Sequence, residues 1–256
     1  MRIFRWLAVS FSLYSRIPMP RFAWKEDDMR HSLIFFPVVG AVIGAVTYLI
    51  NIIPVVASLP LFIRSILTLL IPLFLTGGFH LDGFMDTMDA LKSYSPREEK
   101  LRILKDPHIG AFAVIGLVTW LLILWGSFGM ILSYGSKKQW LLMTAIYPLS
   151  RALSGLLAIG LPKAKSDGML VKETEKTGVG IVIALVLQFV AAAAGMIWLD
   201  LMTGAAVLFA MLLVVVFYRY MTKKQFGGVT GDTAGYFVTV CECVAFLVQA
   251  VMAVVT

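Results

Sequence analysis

Charged residues are scarce in this sequence. Asp, Glu, Lys and Arg together make up 14% of the 256 residues, whereas hydrophobic types make up 59%. Soluble domains usually contain about 25% charged residues. The scarcity therefore excludes an ordinary soluble domain and predicts an integral membrane protein.

Cysteine is almost absent as well. The two that occur, Cys241 and Cys243, are two positions apart in an apolar run, so a helix would point them in different directions. This spacing argues against a disulfide and against a thiolate metal site. A module that combines basic and aromatic residues is also missing, so we do not expect nucleic acid as a partner, despite the net charge of +7.

Long apolar runs, in contrast, are abundant. Seven of them approach the ~20 residues that a membrane-spanning helix needs. The sequence thus predicts one integral membrane domain over residues 1–256, an all-α polytopic helical bundle with an amphipathic segment at residues 3–14. The predicted spans cover residues 33–53, 55–76, 110–133, 139–161, 179–199, 203–221 and 235–255.

Basic residues are concentrated in alternate loops. If residues 1–32 are cytoplasmic, 18 of the 22 Lys and Arg residues fall in cytoplasmic segments, and only Lys137 and Lys138 fall in a loop on the other side. Cytoplasmic loops of membrane proteins carry such an excess. We therefore expect a multi-pass protein of the cytoplasmic (inner) membrane with its N-terminus inside and its C-terminus outside.

Three carboxylates stand out in the segment 76-TGGFHLDGFMDTMDAL-91. Asp82, Asp86 and Asp89 are four and three positions apart, so a helix over 81–91 places them on one face. Like charges so close together repel, and a hard cation such as Mg²⁺, which binds carboxylates jointly with phosphate oxygens, would neutralise them. The pattern predicts metal-assisted phosphoryl transfer. A solvated helix face is the alternative interpretation.

Further candidates lie in segments that the predicted topology brings to the same face. The segment 227-GGVTGDT-233, in which glycines flank Asp232, either lines an anion with its backbone amides or forms a plain turn with a helix cap. His80 is either a general base or a packing residue. Arg151 and Glu242 fall inside apolar runs, where they either serve the site or form an ion pair. The candidate substrate contacts are Lys105, Asp106, Arg151, Arg16, Thr230, Gly231 and Glu242.

These motifs resemble the signature of the cobalamin synthase family, the adenosylcobinamide-GDP ribazoletransferases, which is TGG-x-HLDG-xx-DT-x-DGL. The resemblance covers nearly the whole chain. It departs from the family at Ala90, where glycine is usual, and around Tyr236. Other matching segments are 15-SRIPMP-20, 35-FFPVVGAVIG-44, 103-ILKDPHIGAF-112 and 227-GGVTGDTAGY-236.

The resemblance implies a Mg²⁺-dependent membrane enzyme. It would join adenosylcobinamide-GDP to α-ribazole, or to α-ribazole 5′-phosphate, and release GMP in a late step of cobalamin biosynthesis. Asp82, Asp86, Asp89 and Asp232 would then hold Mg²⁺ against the diphosphate, while the ribose 3′-hydroxyl attacks the phosphorus nearer the corrinoid. His80 or an aspartate would accept the proton. The lipid bilayer is a further expected partner, and the sequence leaves open whether the protein forms a homo-oligomer.

Two other functions compete with this interpretation. CDP-alcohol phosphotransferases also use membrane aspartates and a divalent metal, but their DGxxAR pattern fails here, since Asp82-Gly83 is followed by Phe84-Met85-Asp86-Thr87. A cation transporter would have carboxylates near the midplane of the membrane, whereas the predicted topology gathers them at one face. A purely structural membrane protein gives no reason for three aspartates in phase.

Overall fold

The fold is described by a computed structural model that covers residues 2–175 and 177–255. These residues contain no β-strand, only an isolated bridge between Lys163 and Val229. The predicted all-α fold is confirmed. The helices are α1 (Arg2–Tyr14), α2 (Glu26–Ser32), α3 (Phe36–Ile52), α4 (Pro54–Ala57), α5 (Leu61–Thr76), α6 (Phe79–Lys92), α7 (Arg97–Ile103), α8 (Ala111–Tyr134), α9 (Lys137–Gly160), α10 (Met169–Thr174), α11 (Val179–Leu199), α12 (Leu201–Gln225) and α13 (Gly231–Val255), with a 3₁₀ turn (Leu33–Phe35) before α3.

Six helical stretches of the described chain are long and apolar enough to cross a membrane. They are α8, α9, α11, α12, α13 and the stretch Glu26–Ile52, which joins α2, the 3₁₀ turn and α3. Helices α5 and α6 pass the same test only as a pair. The described chain therefore has six such spans with α5 as a shorter seventh segment, in agreement with the predicted bundle of about seven.

The predicted span over residues 55–76 is wrong in its bounds. Pro54 begins the separate short helix α4, and Pro60 precedes the start of α5 at Leu61. Proline favours the first helical position and lacks the backbone N–H that a continuous helix would need there. The 16 residues of α5 make about 24 Å of helix, which is shorter than the hydrocarbon core of about 30 Å.

Two glycines turn the chain sharply after α5. Gly77 and Gly78 have φ of 66° and 78°, a left-handed conformation that glycine adopts most readily. The Gly77 N–H donates to the Leu73 carbonyl at 2.8 Å, which closes α5. The axes of α5 and α6 consequently meet at 95°. Helix α6 carries four charged residues and lies across the end of the bundle, and we treat it as outside the spans.

Helix α9 is the most buried of the six spanning stretches and packs against α3, α11 and α13. The N-terminal helix α1 packs on α2 and α3. It buries Ala8, Val9 and Phe11, while Ile3 and Phe4 are exposed, so the predicted segment over residues 3–14 packs against the bundle through its second half.

An ion pair connects α9 with α13 inside the bundle. Arg151, 1% exposed, donates from Nη1 to Glu242 Oε1 at 2.5 Å and to the Tyr147 carbonyl at 3.0 Å. The Ser150 hydroxyl donates to the same Glu242 oxygen at 2.7 Å. Buried charges require such partners, so the ion-pair alternative explains why both residues interrupt apolar runs.

We predict that Glu242→Leu lowers the free energy of unfolding by about 3 kcal/mol or more, because it leaves Arg151 buried without its counter-charge. The double variant Arg151→Met with Glu242→Leu should recover most of that loss. Thermal unfolding in detergent measures both. A double variant no more stable than Glu242→Leu alone would contradict this role of the pair.

Candidate active site

The predicted helix over residues 81–91 is confirmed as part of α6, which carries Asp82, Asp86 and Asp89. Asp82 is exposed, while Asp86 and Asp89 are half-buried. Burial, followed by the charges of Asp82, Asp232 and Asp89, raises the pKa of Asp86 to about 6. The four carboxylates predicted as metal ligands therefore lie close enough to act on one another, although Asp232 is far from the others in sequence.

The first turn of α13 leaves Asp232 free of a capping role. The Thr230 hydroxyl accepts from the Thr233 N–H at 3.1 Å, and the Thr233 hydroxyl accepts from the Thr230 N–H at 2.8 Å. This reciprocal arrangement is a capping box. Because Thr230 and Thr233 cap the helix, the capping alternative for Asp232 is not needed, and its side chain lines a cleft instead.

A glycine allows α6 to approach α13 closely. A Cβ at Gly83 would lie 2.7 Å from the Asp232 carbonyl oxygen and 2.9 Å from its Cα. The neighbouring rings of Phe84 and Tyr236 stack with centroids 5.7 Å apart. The glycine after Asp82 in the HLDG motif is therefore what allows the carboxylates of α6 to lie beside Asp232.

A cleft, which we call the acidic cleft, lies between α6, α10 and the first turn of α13. Asp82 and Asp232 face it together with Lys105 and Lys165. Thr230 and Gly231 also line it, as predicted. Carboxylates and ammonium groups thus meet in one solvent-accessible cleft, as a site for a cation and an anionic group requires.

Lys165 was not predicted as a site residue. Its loop is tied to the segment before α13, since the Val229 N–H donates to the Pro162 carbonyl at 2.8 Å and the Ala164 N–H donates to the Val229 carbonyl at 3.0 Å. Burial lowers the pKa of Lys165, and the charge of Asp232 opposes that shift. No motif surrounds Lys165, and only its place in a loop on the predicted cytoplasmic face could have suggested it.

Asp89 has a structural role that the sequence did not predict. Its Oδ2 accepts from the Gly110 N–H at 2.7 Å, and its Oδ1 accepts from the Ala113 N–H at 2.8 Å. Both N–H groups belong to the start of α8, which has no capping side chain of its own. Asp89 therefore caps α8 from α6, although it was predicted as a catalytic residue and metal ligand.

Asp106 lies apart from the acidic cleft. Its Oδ1 accepts from the backbone N–H of His108 at 3.0 Å and lies 2.6 Å from His108 Nδ1. These bonds lower the pKa of Asp106. Its neighbour Lys105 lines the cleft, so the structure brings only the lysine of this predicted pair to the site.

His80 also lies away from the acidic cleft. The ring is 7% exposed and packs among Phe79, Phe36 and Tyr14, with centroids 5.3, 5.5 and 6.2 Å away. Burial, together with the Arg151 charge, lowers the pKa of His80. Among the described residues its Nε2 has no hydrogen-bond partner. This setting favours packing over the predicted role as general base.

Arg16 lines a neighbouring cleft. Its side chain crosses Gly77, and with Asp82 it borders an open space of about 1020 Å³. Arg151 and Glu242, the remaining predicted contacts, lie in the bundle interior and do not line the acidic cleft.

The carboxylates suit a metal ion that also binds phosphate oxygens better than one held by protein ligands alone. In residues 2–175 and 177–255 no three His, Cys, Asp or Glu side chains are placed to hold a metal ion by themselves. Mg²⁺ usually takes one or two carboxylates and completes its shell with water and phosphate oxygens. Asp82 and Asp232, with Asp86 beside them, provide oxygen ligands of that kind in an accessible cleft.

Comparison with known proteins assigns the sequence to one family, and the similar proteins share one name. The sequence matches the family described as cobalamin-5-phosphate synthase over residues 6–250. It is 37% identical over 246 residues to an adenosylcobinamide-GDP ribazoletransferase of Lachnoclostridium phytofermentans, covering 94% of this chain and 91% of that protein. Proteins of the same name from Clostridium perfringens (strain 13) and Pseudomonas syringae are 32% and 33% identical, covering 98% and 96% of this chain and 100% and 98% of theirs. No solved structure matches.

We predict opposite effects of two substitutions on stability in the presence of a chelator. Asp86→Asn should raise the unfolding temperature at pH 8, because an acid whose pKa is raised by folding destabilises the folded state where it is ionised. This gain should shrink as the pH falls through about 6. Asp89→Asn should cost about 1–2 kcal/mol at pH 8, because one amide oxygen cannot replace both bonds to α8.

Thermal unfolding of the two variants at pH 5 and pH 8 measures both effects. Equal shifts in the two variants would contradict the separation of Asp86, a repelled carboxylate, from Asp89, a capping one.

Proposed function

The chain belongs to the cobalamin-5-phosphate synthase family, and we propose that the acidic cleft is the place where it carries out the family's reaction. The protein is an adenosylcobinamide-GDP ribazoletransferase, which joins adenosylcobinamide-GDP to ribazole in cobalamin biosynthesis. Of the competing functions, neither a CDP-alcohol phosphotransferase nor a cation transporter agrees with this family. The cleft, the metal and the residue roles are our proposals.

The reaction transfers a phosphoryl group. The 3′-hydroxyl of the ribose attacks the phosphorus nearer the corrinoid, forming a new P–O bond and giving up its proton. The bond from that phosphorus to the bridging oxygen breaks, and GMP leaves with this oxygen. Catalysis of this kind depends on positioning the groups and on neutralising charge.

Two lysines and a helix end would hold the diphosphate. Lys105 and Lys165 reach the cleft from loops on different sides. Gly231, the first residue of α13, also lines the cleft, and the backbone N–H groups at such helix ends bind phosphate. The fixed Thr230 cap keeps this end of α13 in place.

Asp82, Asp86 and Asp232 would hold Mg²⁺ together with the phosphate oxygens. When bound, the ion would neutralise the diphosphate and the charge that develops on the departing GMP. We assign the proton of the attacking hydroxyl to a carboxylate of the cleft, because His80 does not line it. Asp89 would act mainly by fixing α8 against α6.

The acidic cleft would face the cytoplasm. Tyr14 of α1 bonds to Glu173 of α10, Lys100 of α7 bonds to Gln225 at the end of α12, and Val229 pairs with the loop at Pro162. The segments with most of the basic residues thus contact one another, which supports an inside N-terminus in the cytoplasmic membrane. Both substrates could then reach the cleft from the cytoplasm without crossing the bilayer.

The observation that carries the proposal is the meeting of Asp82 and Asp232 with Lys105 and Lys165 in one cleft. The test is GMP release from adenosylcobinamide-GDP plus α-ribazole by purified enzyme in nanodiscs. We expect GMP release with Mg²⁺, none with a chelator, and no release of CMP when a CDP-alcohol replaces the corrinoid substrate. Full turnover after exhaustive chelation would contradict the metal proposal.

Replacement of a cleft carboxylate should mainly affect the rate. We expect Asp82→Asn and Asp232→Asn each to lower kcat about 100-fold or more, as when one group that stabilises the transition state is lost. Glu98→Gln, at an exposed position of α7 that does not line the cleft, is the control and should retain near-normal kcat. Wild-type kcat in either of the first two variants at limiting Mg²⁺ would exclude that residue as a ligand.

Loss of Lys165 should mainly weaken substrate binding. We expect Lys165→Met to raise the KM for adenosylcobinamide-GDP about tenfold or more, because a charge-assisted contact to phosphate is lost. Lys172→Met, on the exposed side of α10, is the control. Equal KM values for the two variants would remove Lys165 from the site.

A further inference from the structure

A second, small cavity lies beside the first turn of α13, and none of the carboxylates of the acidic cleft lines it. We call it the aromatic cavity. Its walls come from α1, the 3₁₀ turn, α3, α6, α9, α10 and α13. They are mostly carbon, and the rings that line it are those of Tyr14, Phe36, Phe79 and His80.

A few polar groups converge on this cavity. Glu173, 2% exposed, accepts a hydrogen bond from the Tyr14 hydroxyl at 2.8 Å. Burial raises the pKa of Glu173 to about 7, so its protonated, hydrogen-bond-donating form is present near neutral pH. His80 also lines the cavity, and its buried Nε2 has no hydrogen-bond partner in the described chain. Apolar walls with a few such polar groups are typical of ligand pockets.

The aromatic cavity adjoins the acidic cleft. Phe79, Met169, Leu170 and Gly231 line both. A molecule with a flat apolar end and a ribose could therefore occupy both spaces, with its ring among the aromatic side chains and its hydroxyl groups near Asp82 and Asp232.

We propose that the aromatic cavity binds the benzimidazole base of ribazole and directs the attached ribose to the acidic cleft. This inference rests on the proposed function. The base is a flat bicyclic ring with two methyl groups and one free ring nitrogen. Aromatic side chains provide stacking surfaces for such a ring, and the protonated form of Glu173, which accepts from Tyr14 through Oε1, can donate to the free nitrogen.

The other parts of the substrates fit this cavity less well. The corrin ring with its side chains is several times larger than a bicyclic base. Guanine is similar in size to benzimidazole, but its edge carries several donors and acceptors that need partners when buried. The cavity offers few, and Glu173 and Tyr14 already bond to each other. The observations therefore favour the methylated base, and they make this cavity the place where the acceptor is selected.

The proposal is tested with a substitution that narrows the aromatic cavity. Ala158, 4% exposed, lines it from α9, and Ala158→Leu would fill part of the space that the base needs. The matched control is Ala194→Leu on the exposed face of α11. KM values for α-ribazole and for adenosylcobinamide-GDP are measured separately, together with turnover of the riboside of unsubstituted benzimidazole.

We expect Ala158→Leu to raise the KM for α-ribazole about tenfold or more, as for a group that no longer fits its pocket. The KM for adenosylcobinamide-GDP should stay within about twofold of wild type, and preference should shift toward the riboside without methyl groups. A rise in the KM for adenosylcobinamide-GDP instead would place guanine in the cavity. An unchanged KM for α-ribazole would also overturn the inference.

A second variant avoids reliance on one fold-sensitive substitution. Glu173→Leu removes the hydrogen-bonding groups that could meet the base, and we expect weaker α-ribazole binding in direct titrations of the full-length protein. Unchanged binding would remove Glu173 from base recognition. Failure of the proposed function would look different, since wild-type enzyme would then release no GMP from the two substrates together.

Discussion

The close contact between α6 and the first turn of α13 is the feature on which the site depends. Gly83 leaves no room for a side chain against the Asp232 backbone. The contact forces Asp82, Asp86 and Asp232 together and so concentrates negative charge that a bound cation would offset. The loops that carry Lys105 and Lys165 complete the acidic cleft, which the family membership connects to phosphoryl transfer.

Charged residues of this apolar chain act in two places, the interior of the bundle and the cleft at its end. In the bundle interior, Arg151 and Glu242 satisfy each other and hold α9 against α13. At the end of the bundle, charges meet in an accessible cleft where a substrate can reach them. The first arrangement stabilises α13, and the second uses the end of that same helix, so the position of Asp232 depends on the interior ion pair as well as on Gly83.

Much of this could be predicted from the sequence, because spacing reports local geometry. The apolar runs predicted the bundle, and the four-and-three spacing of Asp82, Asp86 and Asp89 predicted a helix with one acidic face. Spacing does not report which distant groups a side chain meets. The capping of α8 by Asp89, the aromatic surroundings of His80 and the arrival of Lys165 through its contact with Val229 are all tertiary events. The helix starts at Pro54 and after Pro60 could have been considered, since proline favours the beginning of a helix, although Pro72 and Pro148 lie inside α5 and α9.

The most direct measurement of the central claim is a structure of the protein with Mn²⁺ and an unreactive analogue of adenosylcobinamide-GDP. The account predicts the diphosphate between Lys105 and Lys165, at the first turn of α13, with the cation in contact with Asp82 and Asp232. A diphosphate bound elsewhere, for example beside Arg16 with the cation away from Asp232, would contradict it.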